Sequence, residues 1–292
     1  MKKHEQLSEI KSVLDDVVQQ LARLNGDPGE ADIVIGDAGA YVWDMARGVV
    51  RPVEKVNRVP LELLQGVASL RDRLYVNTLQ FANGYAANNV LLWGAKGMGK
   101  SSLVKAVHAD ISENLAAEGS RLILIEVHRE EIDSLPVLLR GLAGRAERFI
   151  IYCDDLSFSE QDSSYKSLKS VLDGGLEGRP QNVLFYATSN RRHLLPRNMI
   201  ENEQATAVNP GEAIDEKVSL SDRFGLWLGF HNCDQDTYFA MIEGYVQYYA
   251  IPAAADDWRK GAVEWAQLRG GRSGRVAMQF VRQLAGEHGI SL

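Results

Sequence analysis

Two cysteines in 292 residues cannot staple a fold, and these two, Cys153 and Cys233, stand far apart. Each follows an apolar run, where a buried thiol belongs, so the chain fits a reducing compartment and a cytoplasmic location. No apolar run is long enough to span a bilayer, which argues against a membrane partner. The stretch MKKHEQLSEIKSVLDD lacks the continuous apolar block of a secretory signal. Positive charge is in deficit: 32 Lys and Arg against 39 Asp and Glu give a formal net charge of −7. That balance does not favour broad nucleic-acid binding and leaves room only for a local basic patch. What remains is ordinary for a globular chain, with ample core for one large domain or two smaller ones.

Residues 88–105, NNVLLWGAKGMGKSSLVK, carry the strongest signal. An apolar run from Val90 to Trp93 ends in Gly94, and Gly99, Lys100 and Ser101 complete G-x-x-x-x-G-K-[ST] before a helix-like stretch. Glycines at Gly94, Gly97 and Gly99 let the backbone curl and point its N–H groups inward at phosphate oxygens. The candidate phosphate cradle is therefore Gly94, Ala95, Lys96, Gly97, Met98, Gly99, Lys100, Ser101 and Ser102. The following helix adds its positive end. Lys100 is placed to reach the β- and γ-phosphates, and the Ser101 hydroxyl to hold Mg²⁺. No N-K-x-D guanine signature follows, so ATP is favoured over GTP.

Around this loop the chain alternates. Leu7, Ile10, Leu14, Val17, Leu21 and Leu24 form a heptad seam on one helix over 5–24. It is either a partner-binding helix or one laid on the protein's own surface, since it falls short of three to four heptads. NGDPGE breaks it. Residues 33–35 and 41–43 are apolar without assignable chemistry, and 48–58 reads as a connector. LELLQGVASLRDRLYVNTLQFANG predicts two helices parted near Gly66. Strands are predicted at 121–127, 149–153, 182–190 and 225–230, with helices between them and a polar aperiodic loop over 197–219. Three helices end the chain. The pattern predicts an α/β fold: a P-loop parallel sheet with helices on both faces, a C-terminal all-helical lid and an N-terminal helical extension. The boundaries are 1–56 for the extension, 57–230 for the core and 231–292 for the lid. Ligands of such sheets sit at the carboxyl ends of the strands.

Five further positions carry candidate chemistry. FIIYCDDL puts Asp154 and Asp155 at the end of a buried strand, where a carboxylate meets the P-loop metal. Asp154 would hold Mg²⁺ through water, and Asp155 would orient or deprotonate the attacking water. Asn190, at the tip of NVLFYATSN, is either a water-positioning amide or a turn residue. Arg223 in SLSDRFG either supplies charge to a phosphoryl-transfer transition state or pairs with Asp222 or another acid. Arg275 in RSGRVAMQF either reaches back to the phosphates or is a solvated helix end, with Arg272 competing for the role.

Together these residues resemble the AAA+ branch of P-loop ATPases. GAKGMGKS looks like Walker A and CDD like the end of Walker B. Asn190 matches sensor 1, Arg223 the arginine finger and Arg275 sensor 2, while LLQGV, with Gly66 and Val67, looks like the segment that packs on adenine. The runs NNVLLWGAKGMGKSSLVKAVH and FIIYCDDLSF look more closely like a bacterial AAA+ family known mainly as a domain of unknown function. The resemblance covers roughly 57–290 and implies an ATPase working as a homo-oligomer, often a hexameric ring, on a partner protein that it does not name. One departure is Asp155, where most members carry Glu, which puts rapid hydrolysis in question. A nucleotide-gated interaction module with little turnover is one alternative. A helicase-loader-like, DNA-associated ATPase, motivated by Asp154-Asp155 and the basic run Arg191, Arg192, His193, is another; the run reads more readily as a solvated turn or phosphate-facing loop.

Overall fold

The computed structural model describes residues 33–116, 119–159, 162–174, 179–194 and 220–292. The heptad helix over 5–24, the NGDPGE breaker and the loop over 197–219 lie outside these residues. Strands β1 (Ala40–Asp44), β2 (Val49–Pro52), β3 (Val90–Gly94), β4 (Leu122–Glu126), β5 (Arg148–Cys153), β6 (Val183–Ser189) and β7 (Leu226–Phe230) form one sheet. Its seven strands run in the order β2-β1-β4-β5-β6-β3-β7. All neighbours are parallel except β1 and β2.

The strands predicted from continuous apolar runs are present because each is buried on both faces. Successive side chains point to opposite sides. Leu122 and Leu124 of β4 join one apolar cluster, and Ile123 and Ile125 join the other. The first cluster packs α1 (Ala68–Ala82), α2 (Lys100–Ala116) and the last three helices, α5 (Gln235–Tyr248), α6 (Ala255–Leu268) and α7 (Gly274–Glu287). The second packs α3 (Leu135–Leu142) and α4 (Ser164–Asp173). Helices thus cover both faces, as the alternation predicted.

Two local expectations are corrected. The sheet begins upstream of 57: β1 and β2 lie in the segment read as helical extension and connector. Tyr41 of β1 pairs in register with Ile125 of β4, and the buried Trp43 donates its indole N–H to Ser134 Oγ at 2.7 Å. These strands are short, and β1 gains its place from a partner distant in sequence. The second correction concerns LELLQGV. It forms one turn of 3-10 helix, Leu61–Leu63, instead of a helix, and the left-handed Gly66 (φ 75°) then turns the chain into α1.

Candidate functional site

The P-loop joins β3 to α2 at the carboxyl end of the sheet, where β5 and β6 also end. Gly94 has φ 120°, and a Cβ there would lie 2.1 Å from the Phe230 carbonyl oxygen. Glycine at this position is therefore required by the close approach of β7 as well as by the turn. Gly97 (φ 78°) and Gly99 (φ 91°) complete the left-handed curl. The Gly97 carbonyl accepts the Arg275 N–H at 3.1 Å, so the first turn of α7 rests directly on the loop. Ser273 caps that helix by accepting the Val276 N–H at 3.2 Å.

Lys100 is buried, with 7% of its surface exposed, and all three donors of its ammonium are used. It donates to the carbonyls of Gly94 and Ala95, each at 2.9 Å, and to Asn190 Oδ1 at 3.0 Å. Burial pushes its pKa below the ordinary lysine value. Asp155 and Asp154 act the other way, while Arg275 and Lys96 add to the lowering. Asn190 Nδ2 in turn donates to Asp155 Oδ1 at 2.5 Å. Lys100, Asn190 and Asp155 therefore form one chain of hydrogen bonds across the loop.

A second cluster lies beside it. Ser101 Oγ donates to Asp154 Oδ1 at 2.6 Å, and Thr188 Oγ1 donates to the same oxygen at 2.5 Å. The Asp155 N–H donates to Thr188 Oγ1 at 2.9 Å. Burial alone would raise the Asp154 pKa, but the hydrogen bonds from Ser101 and Thr188 outweigh it and hold the carboxyl below its usual range. Asp155 has φ 51°, a left-handed turn that aspartate tolerates better than most residues. The two adjacent carboxylates thus serve different partners, Asp154 on the Ser101 side and Asp155 on the Asn190 side.

These groups open into a cavity of about 520 Å³ between the P-loop, the 3-10 turn, α5 and α7. Lys96, Gly97, Met98, Gly99, Lys100, Ser101 and Ser102 line it, with Asp154, Asp155, Asn190 and Arg275. Gly94 and Ala95 stand behind the lining and contribute their carbonyls to Lys100. Of the LLQGV segment, Val67 lines the cavity. Gly66 does not; a Cβ there would meet Thr237 Cγ2 at 2.4 Å, at the start of α5. At this end the walls are largely apolar: Val59, Leu64, Met241, Tyr245 and Met278.

The two arginine candidates part here. Arg275 lines the cavity, whereas its rival Arg272 reaches Gln235 Oε1 at 3.5 Å. Arg223 is absent from the lining and donates from Nε to Asp173, the last residue of α4. Sequence reading missed Thr188, although it lies two residues before Asn190 and so on the same face of the strand. It also missed Arg282, seven residues beyond Arg275 on one helix face, and Lys105 of α2; both line the cavity. Lys96, Lys105, Arg275 and Arg282 have no carboxylate partner among the described residues.

No described helix is long and apolar enough to cross a membrane. A comparison with curated proteins finds no match. Among solved structures the chain is similar to a proline-to-glycine mutant of Thermotoga maritima RuvB, at 15% identity and a TM-score of 0.50. The match covers 76% of this chain and 64% of that one. It is also similar to the ORC2 protein of Aeropyrum pernix (13% identity, TM-score 0.48, 79% and 70% of the chains). The ORC1 protein of the same organism, in complex with DNA, gives 16% identity and a TM-score of 0.47 over 78% and 69%. The family described as "Protein of unknown function (DUF815)" matches residues 36–288. The chain belongs to that family and carries its sequence on an AAA+ P-loop fold.

Proposed function

We propose that the chain binds ATP with Mg²⁺ in the cavity under α7 and hydrolyses it slowly. One observation carries this reading. In a chain of net charge −7, one cavity gathers Lys96, Lys100, Lys105, Arg275 and Arg282 around two acids, and four of these cations lack a described carboxylate partner. Such a concentration of charge fits a polyphosphate. The apolar end near Val67, Met241 and Tyr245 fits a flat base.

The metal site fits the donors present. Ser101 and Asp154 offer adjacent oxygens, of which the hydroxyl would hold Mg²⁺ directly and the carboxylate through water. When bound, Mg²⁺ neutralises charge on the phosphates. Ser101 and Asp154 would hold it, and Thr188 keeps the Asp154 carboxylate aimed and ionised. Lys100 exchanges its carbonyl partners for phosphate oxygens. Asp155 orients the attacking water and accepts its proton, and Asn190 fixes that carboxylate from the side. Arg275, carried on α7 of the proposed lid over 231–292, closes on the phosphates. We further propose that Arg223 acts on the site of a second copy, which makes the active form a homo-oligomer remodelling or loading a protein partner.

The hydrogen bond that engages Asp155 favours a second reading, in which ATP binding rather than turnover is the output. Two variants separate the readings. Lys100→Ala removes a buried charged contact and lowers ATP affinity by on the order of a hundredfold, read by calorimetry with the fold checked by circular dichroism. Unchanged affinity would sink the nucleotide site. Asp155→Asn keeps ATP binding and abolishes phosphate release. If wild type and Asp155→Asn release phosphate equally slowly, the binding-switch reading stands and the ATPase reading falls.

A further inference from the structure

The basic run Arg191, Arg192, His193 has no part in the nucleotide cavity. It follows Asn190 directly, and the fold brings it against two neighbouring strands. Trp93 is the penultimate residue of β3, and Trp227 is the second residue of β7 beside it. Leu91 pairs in register with Trp227, and Trp93 with Gly229. The bare Gly229 leaves room for the Trp93 ring, since a Cβ there would sit 2.8 Å from Trp93 Cζ2. Both tryptophans are half-buried against the cluster that packs α3 and α4, on the sheet face opposite the lid helices.

Planar exposed groups rest on these two rings. The Arg192 guanidinium stacks over Trp93 at 5.3 Å from its centroid. The His231 ring meets Trp93 edge-on at 6.0 Å, and the His193 ring meets Trp227 at 6.3 Å. Arg191, Arg192, His193 and His231 are all exposed, and neither arginine has a carboxylate partner among the described residues. The segment itself is anchored. The Arg191 N–H donates to Ser189 Oγ at 3.1 Å, and the Leu194 carbonyl accepts the Phe158 N–H at 3.1 Å.

We propose that this patch binds single-stranded nucleic acid. Holding the Arg192 guanidinium over Trp93 and two imidazoles edge-on against tryptophan leaves their planar faces open and partly ordered, which lowers the cost of stacking a base on them. Arg191 and the edge of Arg192 are left for phosphates. An acidic peptide would use the charges but not the stacked planes. A duplex hides its base faces, and the patch offers no helix or ribbon to enter a groove. Three adjacent strand ends span about 10 Å, room for a few nucleotides per chain. The proposal stands apart from the nucleotide reading, because no residue of the patch lines the ATP cavity.

The test uses the whole protein without nucleotide, titrated with a fluorescent oligo-dT at low salt and read by anisotropy and tryptophan quenching. Binding is expected, with a slope of log K against log salt of about −1.4 for two phosphate contacts. Arg192→Ala and His193→Ala should each weaken it about tenfold, and Arg191→Ala should flatten the slope by about 0.7. Melting temperatures check that the variants fold. No binding by wild type, or equal binding by folded variants, overturns the proposal. So does displacement of the oligonucleotide by polyglutamate at equal charge, or tighter binding of duplex than of single strand. Calorimetry with MgATP on the same samples reports on the other site: lost ATP binding with oligo-dT binding intact would sink only the nucleotide reading.

Discussion

Two arginines with the same sequence-level promise ended in opposite surroundings. Arg275 sits at the rim of a cavity among other cations, its N–H fixed to the Gly97 carbonyl and its side chain without a described carboxylate partner. Arg223 lies outside that cavity, its guanidinium already held by Asp173. Charge that is left unmatched is placed for a ligand. Charge that is matched must exchange partners before it can act. Within one chain, therefore, the cavity takes no part of its lining from Arg223, and the proposed role of that residue at phosphate needs an interface with a second copy.

Breaking the Arg223 side of this comparison should give the largest effect. Arg223→Ala is expected to bind ATP normally and lose on the order of a thousandfold in turnover, the usual worth of such a residue in P-loop enzymes. Mixing it with Lys100→Ala should restore part of the activity, since some interfaces then join an intact P-loop to an intact Arg223. A dead mixture, together with constant specific activity down to monomeric dilution, would mean that the site is not shared.

Arg275→Ala tests the other side and should cost less. It removes a solvent-exposed cation from a site that keeps Lys96, Lys100 and Arg282, so ATP affinity should fall about tenfold. The loss should exceed that for ADP if Arg275 faces the terminal phosphate. Equal losses would move its contact toward the base. The smallest effect is expected from Asp173→Ala. Its carboxylate is 42% exposed, and exposed pairs contribute up to about 1 kcal/mol. The melting temperature should therefore barely move, while turnover holds or rises as Arg223 is released. A large loss of stability would recast Arg223 as a structural anchor.

Much of this was legible in order of residues alone. GAKGMGKS and CDD announced themselves because backbone curl and metal ligation need particular residue types at fixed short spacings. The central strands were legible because burial on both faces leaves continuous apolar runs. The hairpin of β1 and β2 was not, because β1 is fixed by register with β4 and carries no strong local pattern. Thr188 carries no local signal inside the strand over 182–190, and its hydroxyl meets Asp154 only because β6 lies beside β5. Gly66 looked like part of a base pocket and proved to be a turn pressed on Thr237.

The sequence by itself determined the phosphate loop, the paired acids, the alternation of strands and helices and the closing helical block. These follow from local stereochemistry and from the period of burial, both of which act over a few residues. Tertiary structure alone decided which cations share a cavity and which are already paired. It put Arg275 on the cavity and Arg272 beside Gln235, tied Arg223 to Asp173, and set Arg192 over Trp93 with two histidines edge-on against Trp93 and Trp227. Those outcomes depend on distances between groups many residues apart, and strand order with helix docking sets such distances.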